Sequence, residues 1–354
     1  MKRRNWAIVA LAAVIAAGAA GFAAYDADTG TQEGQTLKIG LFAYRGDDTF
    51  ISNLNNSFRD LVNASEKEQS KNIYLSIQEA GMSQATQNSQ IERAIALGYK
   101  ILCVNLVDRT SAAYVIDQAM EADVPIIFYN REPVQADMRK WDKVFYVGTD
   151  ATMNGVLEGR IAANACKASP ESMDLNNDGI IQYIMIEGEF RHQDAILRTE
   201  GSIQAMQEAG IAVEKLDGGV ANWERSQGAA LAKEFFAKYG SQIELFICNN
   251  DDMALGVIDY VDSENLNFTN IVGIDGTPQG LDAVAKGKML GTVVIDYETQ
   301  AQLMYDLVRR QLSGEAPEDF EDRYARAPMR VVERERRVAA KPGLPERSFE
   351  NMEK

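Results

Sequence analysis

Ile101-Leu102-Cys103-Val104-Asn105-Leu106-Val107 is apolar almost throughout, and so is Val124-Pro125-Ile126-Ile127-Phe128-Tyr129 after the helical stretch 111–121. A strand with one wet face alternates apolar and polar residues. A strand that stays apolar is covered on both faces, the condition of a parallel sheet flanked by helices. Working outward, strand and helix keep alternating in both directions. Upstream come a strand at 37–43, a helix with Phe50, Leu54, Phe58 and Leu61 along one face, a strand at 73–77 and a helix at 83–97. Downstream, strands are expected at 144–147, 183–186, 213–216, 245–248, 271–274 and 291–295. Helices fill the gaps at 151–166, 198–209, 223–237, 254–262 and 281–286, and the last follows at 298–311. About eleven strands are too many for one small sheet, so the β-α-β repeats predict an α/β protein of two doubly wound parallel-sheet lobes.

The chain of 354 residues is long enough for two such domains. Its start, Met1-Lys2-Arg3-Arg4, precedes an Ala/Gly-rich apolar run over 6–24, which reads as a secretory signal peptide over residues 1–24. An uncleaved membrane anchor is the rival reading, and the small residues at 20–24 favour cleavage. Removing 1–24, with its three cations and no anions, takes the net charge from −16 to −19. So acidic a chain is not expected to bind nucleic acid or anionic membrane. Three cysteines, Cys103, Cys166 and Cys248, are too few and too odd for a disulfide framework. The charged tail 315–337 reads as a solvated face.

A second motif lies in Asp174-Leu175-Asn176-Asn177-Asp178-Gly179-Ile180-Ile181-Gln182. Oxygen-bearing side chains at positions 1, 3, 5 and 9, with Gly at 6, make the first three-quarters of an EF-hand calcium loop. Position 12 breaks the pattern, because Met185 stands where a bidentate Glu is needed. The missing carboxylate must come from elsewhere, which makes this a structural Ca2+ site on another fold.

Ligands of parallel sheets gather at the carboxyl ends of strands. Those ends carry Tyr44-Arg45-Gly46-Asp47-Asp48-Thr49-Phe50, Asn105-Leu106-Val107-Asp108, Asn249-Asn250-Asp251-Asp252, Asp275 and Asp296. Between them lie His192-Gln193-Asp194 with Arg198, and Trp223. Carboxylates and amides take hydroxyl protons, Arg and Asn donate, and aromatic rings cover apolar C–H faces. The set suits a neutral polyhydroxylated ligand. Each residue also has a plain structural reading: Asp48 as a helix cap, Asp194 and Arg198 as a surface ion pair, Phe50 and Trp223 as core. An enzyme is not expected. The chain lacks a nucleophile elbow, a P-loop and a zincin motif, and its single histidine forms no conventional triad.

On these residues the chain resembles the periplasmic galactose/glucose-binding proteins, the sugar-binding class that serves ABC importers. The resemblance covers nearly the whole mature chain. It also rests on Tyr146-Val147-Gly148-Thr149-Asp150, Glu187-Gly188-Glu189 and Gly273-Ile274-Asp275. It implies the type I periplasmic binding protein fold, with a three-segment hinge between lobes. It implies that Asp48, Asn105, His192, Asp194, Arg198, Asn250 and Asp275 bond sugar hydroxyls while Phe50 and Trp223 sandwich the ring. For the metal, it implies Asp174, Asn176, Asp178, the Ile180 carbonyl, Gln182 and a remote Glu244. Two positions depart from the family: Ile295 replaces an Asn, and Gly46 stands where an aromatic is usual.

The expectation is an extracytoplasmic, monomeric monosaccharide receptor that delivers a galactose- or glucose-like hexose to an ABC permease by cleft closure. The alternative is a sugar sensor module that signals to a chemoreceptor or a histidine kinase. The first lobe is expected over 36–124 with 297–330, and the second over 125–296 with 331–354.

Overall fold

The computed structural model describes residues 36–69, 72–314 and 323–335. The expected signal peptide over 1–24 lies outside the described residues. The chain runs β1 (Leu37–Ala43), α1 (Thr49–Gln69), β2 (Ile73–Glu79), α2 (Gln84–Ala96), β3 (Ile101–Val104), α3 (Ala112–Glu121), β4 (Ile126–Tyr129), α4 (Gln135–Met138) and β5 (Val144–Gly148). It continues through α5 (Ala151–Ala168), α6 (Pro170–Met173), β6 (Ile181–Glu187), α7 (Gln193–Glu208), β7 (Val213–Val220), α8 (Arg225–Tyr239) and β8 (Leu245–Cys248). Then come α9 (Asp251–Ser263), β9 (Ile271–Asp275), α10 (Pro278–Ala285), β10 (Gly291–Ile295), α11 (Tyr297–Ser313), β11 (Tyr324–Arg326) and β12 (Met329–Glu333).

Two sheets result, ordered β2-β1-β3-β4-β5-β11 and β7-β6-β8-β9-β10-β12. Each carries the same doubly wound order, and the strands pair in parallel except β12, which runs antiparallel to β10. The apolar runs are the central strands: β3, β4 and β8 are buried along their whole length. Leu41, Leu54, Phe58 and Ile127 meet in the core of the first lobe, and each such side chain contributes about 1.5–3 kcal/mol on burial. The three cysteines are free and buried.

The expected first crossing near residue 124 is corrected. Leu102 pairs with Ile126, and Ile126 pairs with Val144, so β4 and β5 belong to the first sheet and the crossing lies between Gly148 and Ala151. The chain crosses again between Ile295 and Tyr297, since α11 packs on α1, and a third time at 327–328, between β11 and β12. The tail is corrected too. Its described part forms two strands, β11 along β5 and β12 along β10, which close the outer edges of the two sheets.

One buried carboxylate ties the second sheet together at its carboxyl edge. Asp251 accepts from Thr292 Oγ1 at 2.6 Å, from the Thr277 N–H at 2.7 Å and from Thr277 Oγ1 at 3.1 Å. Burial pushes its carboxyl from 3.8 up to about 7, against the pull of the hydrogen bonds from Thr292 and Thr277. The native state therefore holds a proton that the unfolded chain has already released, and stability falls as pH rises from about 4 to about 7. Asp251→Asn should flatten that decline when thermal midpoints are measured across the window. An unchanged slope would assign the decline to other groups.

Candidate functional site

The carboxyl ends of both sheets face one cavity between the lobes, the place where ligands of parallel sheets bind. Tyr44, Asp48, Phe50, Ile51, Asn130 and Arg131 line it from the first lobe. His192, Asp194, Arg198, Trp223, Asn250 and Asp275 line it from the second. The lobes touch around it. Arg45 Nη1 reaches Glu224 Oε1 at 3.1 Å, and Arg131 pairs with Glu189.

In the first wall Asp48 does two things. Its Oδ1 caps α1 by accepting the Ile51 N–H at 2.8 Å, and its Oδ2 accepts the Tyr44 hydroxyl at 2.5 Å. The helix-cap reading and the lining position hold together. Burial, with the charge of Asp48 adding to it, pushes the Tyr44 hydroxyl well above its ordinary value, so it stays a donor. Phe50 is buried and stands edge-on to Tyr297, with ring centroids 6.4 Å apart. Arg131 lies 3.6 Å from the centre of the Tyr44 ring, and its Nη1 donates to the Val107 carbonyl at 2.9 Å.

The second wall is organised by Arg198, buried on α7. Its Nη1 donates to the Asn249 carbonyl at 2.7 Å and lies 3.5 Å from Asp275 Oδ1, while Nη2 lies 3.8 Å from Asp194 Oδ2. Burial raises both carboxyls and Arg198 opposes it. Asp275 is held at φ 118°, a conformation that L side chains rarely adopt. Such strain persists only where the surroundings fix it, and it concentrates at functional sites. His192 caps α7: its Nδ1 accepts the Asp194 N–H at 3.1 Å. Burial, then Arg131, Arg198 and Arg109, lower its pKa well below the ordinary value. The ring is therefore neutral, with its proton on Nε2. Trp223, at φ 64°, meets His192 edge-on at 5.3 Å and lies under the Arg198 guanidinium at 5.5 Å. Gly188 makes room for it, because a Cβ there would sit 2.2 Å from the indole. Asn250 caps α9 through its Oδ1 and the Met253 N–H, at 2.9 Å.

Asn105 is the expected residue that does not line the cavity. It is fully buried behind the wall, with Nδ2 donating to Asn130 Oδ1 at 3.3 Å, and Asn130 takes the place at the surface. Sequence reasoning missed Tyr44, Ile51, Asn130 and Arg131 as lining residues. Asn130 and Arg131 directly follow β4, so the rule that reads strand ends would have found them. Ile295 packs in the core and Asp296 caps α11, both outside the lining. At Gly46 a Cβ would sit 2.0 Å from the Glu79 carboxylate, so an aromatic there would need Glu79 moved.

The 174–182 loop closes on Glu244, which is fully buried. Glu244 Oε1 accepts from the Leu175 and Asn176 N–H groups at 2.5 and 3.2 Å, and Oε2 accepts from the Gln182 N–H at 3.0 Å. Asp174 Oδ2 accepts the Gly179 N–H at 2.8 Å. The Ile180 N–H, then Gln182 and Asn176, lower the Asp178 carboxyl. Among the described residues no three His, Cys, Asp or Glu side chains cluster closely enough to hold a metal, so amide and carbonyl oxygens would have to complete any shell here.

Residues 39–316 match the periplasmic binding protein domain family. The D-galactose/methyl-galactoside binding periplasmic protein of Haemophilus influenzae is 30% identical over 308 residues, covering 84% of this chain and 90% of the relative. The ribose import binding protein of Escherichia coli is 24% identical over 245 residues, 69% of this chain and 76% of that protein. Among solved structures, an ABC transporter solute binding protein of Bacillus halodurans with bound myo-inositol aligns with a TM-score of 0.70 at 26% identity. The alignment covers 86% of this chain and 96% of that one. With two matched α/β lobes and a polar cleft between them, the chain belongs to the periplasmic binding protein family, the extracytoplasmic, non-enzymatic receptors that serve sugar ABC transporters.

Proposed function

We propose that the cleft takes a neutral, hydroxyl-rich six-membered ring, a hexopyranose of the galactose or glucose kind, and delivers it to an ABC import permease in the closed form. The observation that carries this reading is Arg198 held between Asp194 and Asp275 at 3.8 and 3.5 Å. Those separations exceed a tight charge-assisted bond, about 2.7–2.9 Å, so both carboxylates keep acceptor capacity for hydroxyl protons. The neutral His192 offers an Nε2–H donor, and Phe50 and Trp223 supply apolar surface for the ring. The galactose-binding relative supports the hexose. A cyclitol is the second reading. The Bacillus halodurans protein carries myo-inositol, and Ile295 in the core removes the hydroxyl partner that a family Asn would give.

The 174–182 loop is proposed to hold calcium through Asp174, Asn176, Asp178, the Ile180 carbonyl, Gln182 and Glu244. The all-oxygen donor set fits a hard cation. When bound, the ion would fasten the loop before β6 to the start of β8 and stabilise the second lobe.

Calorimetric titration with galactose, glucose, xylose and myo-inositol decides the ligand class, and catalytic turnover of any of them would overturn the reading. Asp194→Ala should weaken the best ligand about a hundredfold without loss of fold. Unchanged affinity would place binding elsewhere. His192 should add no pH dependence to affinity between about 8 and about 6, because it is already neutral there, so any change in that window should persist in His192→Gln. A loss near the ordinary imidazole pKa that the variant removes would show that the ring is charged in the resting site. Chelation should lower the thermal midpoint and added calcium should restore it, by linkage. Glu244→Gln should abolish that difference while sugar affinity changes little. A midpoint indifferent to chelator removes the metal from the account.

A further inference from the structure

Arg198 has two edges, and the cleft uses one of them. The Nη edge faces Asn249, Asp194 and Asp275. The Nε–H is buried and has no hydrogen-bond partner. On the neighbouring helix α5, Glu158 is fully buried with both carboxyl oxygens unpartnered. It occupies a helix face otherwise filled by Ala151, Gly155 and Ala162, where the buried pattern calls for a small apolar residue. The helices touch here: a Cβ on Gly155 would sit 2.3 Å from the Arg198 carbonyl oxygen. Asn154, one turn before Glu158, adds a buried Oδ1 that also lacks a partner. Glu158 makes no direct ion pair with Arg198, although that guanidinium is the cation that most lowers its pKa. Burial is the larger effect and pushes the Glu158 carboxyl well above the carboxylate range, with Asp251 and Asp275 adding to it.

A buried donor without an acceptor and buried acceptors without a donor thus share one helix contact behind the ligand wall, within electrostatic reach of each other. Buried polar atoms in folded proteins are satisfied, by protein or by an enclosed water with two to four partners. We propose that Glu158 is a positioning residue for ligand binding: with Asn154, and across one enclosed water, it holds the Nε edge of Arg198 so that the Nη edge is fixed toward the cleft. The inference rests on the proposed polyol ligand for its effect on affinity, but its structural part does not need a ligand.

Two measurements test it. In ligand titrations of the full chain, Glu158→Leu should bind the best polyol about tenfold more weakly, the cost of one hydrogen bond to a charged group. Glu158→Gln, which keeps a donor and an acceptor in the same shape, should restore binding to within about twofold of wild type. The thermal midpoint should change little with the loss, because the cost of burying the Glu158 carboxyl offsets most of what its water-bridged bond returns. Second, the Arg198 Nε–H resonance, assigned by its disappearance in Arg198→Lys, should exchange with solvent slowly in the ligand-free wild type, and shift and exchange faster in Glu158→Leu. Wild-type affinity in the Leu variant overturns the proposal, as does an Nε–H exchange rate that is the same in Glu158→Leu as in wild type. If the wild type binds none of the polyols, the ligand reading fails, and that difference in exchange still decides the role of Glu158.

Discussion

A guanidinium taken out of water must be answered, and the rest of the cleft follows from that demand. Leaving a buried ion unpaired costs several kcal/mol, and each wall lines the cavity with one buried arginine, Arg131 in the first lobe and Arg198 in the second. Arg198 meets the demand with one short bond to a backbone carbonyl and two carboxylates at longer range. Arg131 meets it with a carbonyl, an aromatic face and a glutamate from the opposite lobe. Neither solution uses up the polar capacity around it. What remains points into the cavity, where hydroxyl groups can both give and take protons.

The fold makes this arrangement affordable by giving the same residues structural employment. Asp48, His192 and Asn250 each cap a helix that begins at the cleft, so the backbone N–H groups of α1, α7 and α9 fix their orientation. A cap contributes about 1 kcal/mol to its helix, and here it also pre-orients a wall residue. The parallel sheets are what bring these caps together. In a doubly wound order every strand delivers its carboxyl end, and the helix that follows, to the same edge. Two lobes of like order, β2-β1-β3-β4-β5 and β7-β6-β8-β9-β10, then set two such edges face to face.

Those strands were legible because burial on both faces leaves an unbroken apolar run, and β3, β4 and β8 are buried throughout. Lobe membership was not. A β-α-β repeat looks the same whether the next strand joins the old sheet or starts a new one, so nothing in 124–148 marks the crossing after Gly148. The strands β11 and β12 escaped because they lie at sheet edges and carry Arg326, Arg330 and Glu333 among their few residues, which is how edges avoid aggregation. Most of the site was legible as polar clusters after strands. Arg131 was legible by the same rule, since it follows β4, but Asn130-Arg131-Glu132-Pro133 has the composition of an ordinary turn and was passed over. Asn105 was read one layer too far forward, for its position after β3 is the same whether its side chain reaches the cavity or stops against Asn130.

The contacts between lobes bear on how a solute controls closure. Arg45–Glu224 joins a buried guanidinium, 8% exposed, to a glutamate that is 38% exposed, so solvent screens the pair from one side. Arg131–Glu189 is enclosed, with side chains 4% and 16% exposed; separating the lobes breaks the pair but returns both groups to water, so desolvation offsets its attraction. The ion pairs alone therefore give closure little driving force. Arg198 adds none, because it keeps Asn249, Asp194 and Asp275 whatever the other lobe does. A solute shifts the equilibrium only by what it gains in the closed form over the open one. That gain must come from contacts spanning both walls, Asp48 and Arg131 on one side and Asp194, Arg198 and Asp275 on the other. A ligand long enough to touch one wall alone would bind without closing the cleft, so ring size and the placement of hydroxyls on both edges set which solutes act as a signal for delivery.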